Sequence, residues 1–129
     1  MLMVGNRRSL ALCALTVSEL ARGLENGSFS SEAVTDAYLE NIALQNSTLN
    51  VFLEVFGDTA REEARASDRR RREGKPLSRL DGVPFAVKDN LCVEGRLCTC
   101  ASRMLENYRH GGAAAAGVGN AAAGPGESG

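Results

Sequence analysis

At 129 residues the chain has room for one domain, and an apolar content of 43% suits a globular core over at least part of its length. A formal net charge of −1 argues against nucleic-acid binding by bulk charge, and aromatics at 5% with no tryptophan leave little for stacking on single-stranded bases. Cys13, Cys92, Cys98 and Cys100 have neither the spacing of a structural zinc site nor a convincing signal peptide to imply disulfides, so they read as reduced thiols.

Residues 1–15 carry Arg7 and Arg8, and no acid precedes Glu19. They read as a mitochondrial-type presequence or as the frayed start of the first helix. The apolar run from Ser9 to Leu15 is far shorter than the roughly 20 residues a membrane span needs. Thr16-Val17-Ser18-Glu19 then has the capping-box arrangement, and Val17, Leu20, Ala21 and Leu24 follow at helical spacing up to a stop at Gly27. Ser30 is placed to cap a second helix, with Phe29 stapled onto Val34 and a stripe of Val34, Ala37, Tyr38 and Ile42. The two segments read as an αα-hairpin whose stripe is packing surface or a docking face.

Residues 46–50 break the helical pattern, and Val51 to Phe56 are expected to form the first strand. Gly57-Asp58 should end it and cap a third helix over 59–73, stopped by Gly74 and Pro76. Ala60, Ala64 and Ser67 give that helix a narrow packing face. Arg61, Arg65 and the run Arg69 to Arg72 interleave with Glu62, Glu63, Asp68 and Glu73, which favours a solvated face with i,i+4 pairs over an RNA contact.

Leu80-Asp81-Gly82 carries turn chemistry, with Asp81 expected to bond its own following backbone. Val83 to Val87 then reads as a short strand, entered through Pro84 and apolar on both faces. A strand of that kind is usually an inner one. It would carry Lys88 to the edge of a core, where desolvation favours the neutral amine. A loop turning at Gly95 and a short helix over 103–108 come next. Residues 111–129 contain seven Gly and seven Ala, too little apolar surface to offset the entropy of ordering, so a disordered tail is expected over 109–129.

The stretch Leu-Asp-Gly-Val-Pro-Phe-Ala-Val-Lys-Asp-Asn from Leu80 to Asn90, followed by Thr-Cys-Ala-Ser-Arg-Met-Leu-Glu-Asn-Tyr from Thr99 to Tyr108, resembles the amidase signature family. Within it, the likeness is greatest to the A subunits of glutamyl-tRNA(Gln) amidotransferases, and it extends over roughly 16–108. The resemblance implies an α/β fold, a mixed sheet flanked by helices, with 16–108 as a partial amidase domain. It also implies that Lys88 is the catalytic base of a serine, cis-serine, lysine triad, with Asp89 helping to orient the local backbone. The family places both serines in a later Gly/Ser-rich stretch to which nothing in residues 1–129 corresponds; Thr99 and Ser102 do not occupy the nucleophile position.

The activity implied by the resemblance is that of a glutaminase component that feeds ammonia to Glu-tRNA(Gln), here truncated and inactive alone. Amidotransferase subunits B and C would be its partners, and tRNA would be met only through the complex. No cofactor would sit in this chain, since ATP and Mg²⁺ belong to the partner subunit. The location would be mitochondrial or else cytoplasmic, with no membrane association. The alternatives are a non-catalytic fragment that binds the other subunits, and the N-terminal piece of a general amidase. A sheet reduced to its first strands leaves an open apolar edge, so the isolated chain is expected to be aggregation-prone or partly molten. Cooperative thermal unfolding with sharp near-ultraviolet signals would contradict this.

Overall fold

The computed structural model describes residues 7–89, 91, 100 and 102–105. Expectations for the start of the N-terminal segment, the loop at Gly95, Thr99, the second half of the short helix and the Gly/Ala-rich tail lie outside the described residues. The chain divides into one unit that ends at Pro84 and another that begins at Phe85.

Among the described residues, the first unit contains four helices: α1 (Arg7–Cys13), α2 (Val17–Glu25), α3 (Ser31–Leu49) and α4 (Gly57–Arg72). Helix α1 is a separate element rather than the frayed start of α2. It packs on α3, with Ser9 Oγ donating to Glu40 Oε2 at 2.6 Å, and Leu12 and Leu15 lie against the core. That core is small, with Leu20, Leu24 and Val34 at its centre and Phe29, Tyr38 and Val83 packed around them.

The capping box of α2 forms as its sequence dictates: Thr16 N donates to Glu19 Oε2 at 2.7 Å, and Glu19 N donates to Thr16 Oγ1 at 3.3 Å. Gly27 ends the helix at φ 73°, and the Ser28 N–H reaches back to the Gly23 carbonyl at 2.9 Å. The Phe29 ring covers Gly23 so closely that a Cβ there would overlap it.

The N-terminus of α3 is capped twice. Ser30 Oγ accepts from Ala33 N at 3.1 Å. Asp68, from the middle of α4, accepts from Ser31 N at 2.7 Å and from Glu32 N at 3.1 Å, so a carboxylate meets the positive end of the helix dipole. The C-terminus runs past the expected break to Leu49. Asn50 stops it in the left-handed region (φ 51°), and the Asn46 side chain bonds both polar groups of the Phe52 backbone, at 3.0 and 2.8 Å. Asn46 therefore braces the exit from α3 instead of ending the helix.

The two expected strands do not form. Residues 51–56 and 83–87 are irregular, and among the described residues there is no strand of any kind. A strand is stabilised by a ladder with a neighbour, and the described residues offer neither segment one. The helices expected beside the sheet are present, and among the described residues the sheet is not.

Helix α4 begins at Gly57, two residues before its expected start, with Phe56 at the cap position and no side-chain cap bond. Asp58 therefore lies within the first turn, fully exposed, instead of capping. Ala64 and Ser67 are buried on the narrow face, as their spacing predicts. Two ion pairs of α4 reach across to α3, Arg61 to Asp36 and Arg65 to Glu32, each at 2.7 Å, and a pair within the helix, Arg61 with Asp58 at 3.7 Å, is i,i+3 rather than the expected i,i+4. Gly74, at φ 70°, closes the helix, with Lys75 N donating to the Arg70 carbonyl at 2.8 Å and Gly74 N to the Arg71 carbonyl at 3.1 Å. Among the described residues no helix is long and apolar enough to cross a membrane.

Removing the double cap tests this arrangement. Asp68→Ala is expected to cost about 1–2 kcal/mol in urea unfolding followed by the helical circular dichroism signal, whereas Asp58→Ala should stay within about 0.5 kcal/mol of the parent. Equal effects would show that Asp68 does not hold α3.

Candidate functional site

The turn that leads toward Lys88 is fixed from the side of α4. Asp81, only 9% exposed, receives a two-pronged contact from Arg70, with Nε to Oδ2 at 2.9 Å and Nη2 to Oδ1 at 2.6 Å. The Leu77 N–H donates to the same carboxylate at 3.0 Å, so Asp81 bonds backbone behind it rather than its own following residues. Arg71 completes the grip on the main chain, donating from Nε and Nη2 to the Asp81 carbonyl at 3.1 and 2.6 Å. Two of the four consecutive arginines therefore hold this turn.

Gly82 follows at φ 90°, a conformation glycine tolerates, and its carbonyl accepts from Ser31 Oγ at 2.6 Å. A Cβ at this position would overlap Ser31 and Ser67 Oγ, two fully buried serines of α3 and α4. The sequence Asp81-Gly82 thus ties the turn to both helices at once. The Arg70 fork, with the Leu77 N–H, holds the Asp81 carboxyl down at about 2 against the opposing effect of burial.

Lys88 belongs to the unit that begins at Phe85. Its side chain is exposed, and so are Phe85 and Val87, which corrects the expectation of an inner strand delivering a covered lysine. The physical reason is again the missing ladder: without neighbouring strands, the described residues put no layer over either face. Lys88 lies in a turn in which its carbonyl accepts from Leu91 N at 2.9 Å. The Asp89 carbonyl accepts from Cys100 N at 3.4 Å, and Cys100 is left-handed at φ 49°. These bonds bring the Lys88-Asp89 backbone beside the Cys100 segment.

Beyond Cys100, Ser102 Oγ accepts from Met104 N at 3.3 Å and starts the 3₁₀ turn Arg103–Leu105, the described first part of the expected short helix. Among the described residues, no group of His, Cys, Asp and Glu is arranged to hold a metal ion. The first unit also carries an open groove of about 860 Å³ between α2 and α4, lined by Leu24, Phe29, Arg65, Arg69, Arg72 and Pro76. The sequence reading missed the Arg70–Asp81 fork. Its only local signal was an acid in a turn shortly after an arginine run.

The amidase family model matches residues 33–115. The A subunit of the glutamyl-tRNA(Gln) amidotransferase of Synechococcus sp. (strain CC9605) is 42% identical over 94 residues, which cover 73% of this chain and 19% of that protein. The corresponding A subunit of Cellvibrio japonicus is 43% identical over 93 residues (72% and 19%), and that of Pseudomonas putida is 44% identical over 95 residues (74% and 20%). The chain spans about a fifth of the length of these curated relatives. A solved structure described as a vestigial protein complex that reveals the evolutionary origins of an s-triazine catabolic enzyme superposes with a TM-score of 0.73 at 30% identity, over 78% of this chain and 22% of its own. Its inhibitor-bound form gives the same values.

The Asp81 clamp has a defined pH signature. The folded carboxyl, at about 2, lies below its ordinary 3.8. The stability it contributes is therefore complete above about pH 4 and is lost as the pH falls from there through 2. Asp81→Asn should remove about 2 kcal/mol at pH 7 and flatten the pH dependence of urea unfolding in that window. An unchanged acid profile would show that another carboxylate governs it.

Proposed function

The chain belongs to the amidase family, and from that membership we propose that it is the N-terminal part of a glutamyl-tRNA(Gln) amidotransferase A subunit, contributing Lys88 as the base of the serine, cis-serine, lysine triad. One observation supports this reading above the rest: identity of 42–44% to A subunits over a stretch of 93–95 residues. That identity also favours the tRNA-dependent enzyme over a general amidase.

In the proposed reaction, the Lys88 amine takes a proton through the bridging cis-serine from the nucleophilic serine. The serine oxygen attacks the glutamine carboxamide carbon, the C–N bond breaks, and nitrogen leaves as ammonia after taking back a proton. Water then hydrolyses the acyl ester to glutamate, while the ammonia amidates the activated Glu-tRNA(Gln). Lys88 is the part of this scheme that residues 1–129 supply. Both serines, and the layer that would cover an otherwise exposed lysine, are assigned to sequence beyond them, so these residues alone are proposed not to hydrolyse glutamine.

Subunits B and C are the proposed partners, and ATP and Mg²⁺ are proposed to belong to the partner subunit. The location is proposed as mitochondrial on the strength of the basic, acid-free start that contains Arg7 and Arg8. Part of that start, Arg7–Cys13, forms α1, so a cleaved leader reaching Leu15 would strip Leu12 and Leu15 from the core. A fluorescent fusion that stayed in the cytosol would remove this part of the proposal.

Replacing the matched 95 residues of the Pseudomonas putida relative with residues 16–108 of this chain tests the catalytic assignment. The chimera, assembled with its partner subunits, is expected to hydrolyse glutamine, and Lys88→Ala in it to lower kcat by roughly 10²–10⁴-fold without loss of assembly. A drop of less than about tenfold would remove Lys88 from the base role, as would glutamine hydrolysis by the 129-residue chain alone that survives Lys88→Ala.

A further inference from the structure

The four consecutive arginines at the end of α4 do two different things. Arg70 and Arg71 are committed to the turn at Asp81. Arg69 and Arg72 line the groove between α2 and α4, where both are exposed, and among the described residues their guanidinium groups make neither a hydrogen bond nor an ion pair. The dipole of α4 favours basic residues in its last turn. It does not require two of them to line one groove without a counter-charge.

The acids that line the groove are already engaged. Glu32 is paired with Arg65 at 2.7 Å and Glu25 with Arg79 at 3.1 Å, while Asp68 accepts from the Ser31 and Glu32 N–H groups at 2.7 and 3.1 Å. Arg69 and Arg72 are thereby left as cations that no lining acid compensates. The same lining carries apolar surface: Leu24 is buried, Phe29 half-buried and Pro76 exposed. Guanidinium groups beside apolar surface select a ligand that joins carboxylates to an apolar group. Arg69 and Arg72 are about 4.5 Å apart along the helix axis, and acids two residues apart on an extended peptide are about 7 Å apart. Long arginine side chains span the difference. A phosphodiester chain fits less well, since it carries charge at every residue past Glu25, Glu32 and Asp68 and finds only Phe29 to stack on.

We propose that the groove between α2 and α4 binds a short, extended acidic segment of a partner protein with the pattern acid, apolar residue, acid. The two carboxylates pair with Arg69 and Arg72, and the apolar side chain packs against Leu24 and Phe29. Charge supplies the selectivity, so the affinity falls as salt rises. Every residue used belongs to the first unit, and the proposal does not depend on the role given to Lys88 in the other.

The test is fluorescence anisotropy of a labelled peptide, Gly-Ser-Glu-Leu-Glu-Ser-Gly, titrated with the full 129-residue chain. Saturable binding is expected, weakened about tenfold or more by Arg69→Gln with Arg72→Gln, or by a Gln-Leu-Gln peptide, and about threefold or more by a Glu-Ser-Glu peptide. Raising salt from about 0.05 to about 0.5 M should weaken it further. A charge swap separates lost recognition from lost structure. The chain with Arg69→Glu and Arg72→Glu is expected to keep the parent's helical circular dichroism signal and to prefer a Lys-Leu-Lys peptide to Glu-Leu-Glu. Four results overturn the proposal: no saturable binding; equal binding of all the peptides by parent and variants; tighter binding of a uridine oligonucleotide than of the Glu-Leu-Glu peptide; or a homodimer of this chain that Arg72→Glu dissociates while no peptide binds.

Discussion

A carboxylate buried at Asp81 is the constraint on which the first unit depends. Its two oxygens take the Arg70 guanidinium and the Leu77 N–H, its carbonyl takes Arg71, and the next residue, Gly82, bonds Ser31 on α3. Three segments with little apolar surface to share are held by this one knot. Burying a charged pair is seldom a large net source of stability, because desolvation offsets most of the attraction. Its contribution here is to specify geometry, since no other acid in the turn can satisfy the two-pronged donor and leave the chain free to reverse at Gly82.

Asp68 complements the knot one turn away. With Asp68 on the first N–H groups of α3 and Arg61 and Arg65 on its acidic flank, α4 is fixed to α3 by many polar contacts, and of the residues of α4 only Ala64 and Ser67 are buried. A helix whose packing face is alanine and serine allows close approach but gives little hydrophobic gain. The exposed arginine pairs are individually weak, so directional bonds at the two ends of the contact set the register.

The features that could be read from sequence divide along the same physical line. The caps at Thr16 and Ser30, the stop at Gly27 and Gly74, and the Val34 stripe were legible because each involves residues within a few positions of one another. Asn46 and Asp58 misled for a related reason: both are common terminators, but Asn46 spends its amide on Phe52, and Asp58 falls inside a helix that starts two residues early. The strands at 51–56 and 83–87 had strand composition without a partner among the described residues, and composition cannot supply one. Asp81 was visible as a turn residue, yet its role was not, because Arg70 finds it through a loop rather than along a helix face. Lys88 was singled out by the apolar run that leads to it and given the role of a base by a family resemblance; its exposed surroundings do not show the covered setting that the run suggested.

The spacing of the contacts around Asp81 also bears on the order of assembly. Arg70 and Asp81 are 11 residues apart, whereas Ser31 and Gly82 are 51 apart. Closing the longer loop costs roughly 1.4 kcal/mol more chain entropy than closing the shorter one. A ten-residue loop also closes in about 10–100 ns. The end of α4 and the turn after it can therefore come together as a local hairpin before α3 is in place, and that hairpin then presents the Gly82 carbonyl to Ser31 in a finished conformation. The knot thus orders assembly as well as clamping it: a contact that closes 11 residues prepares one that closes 51.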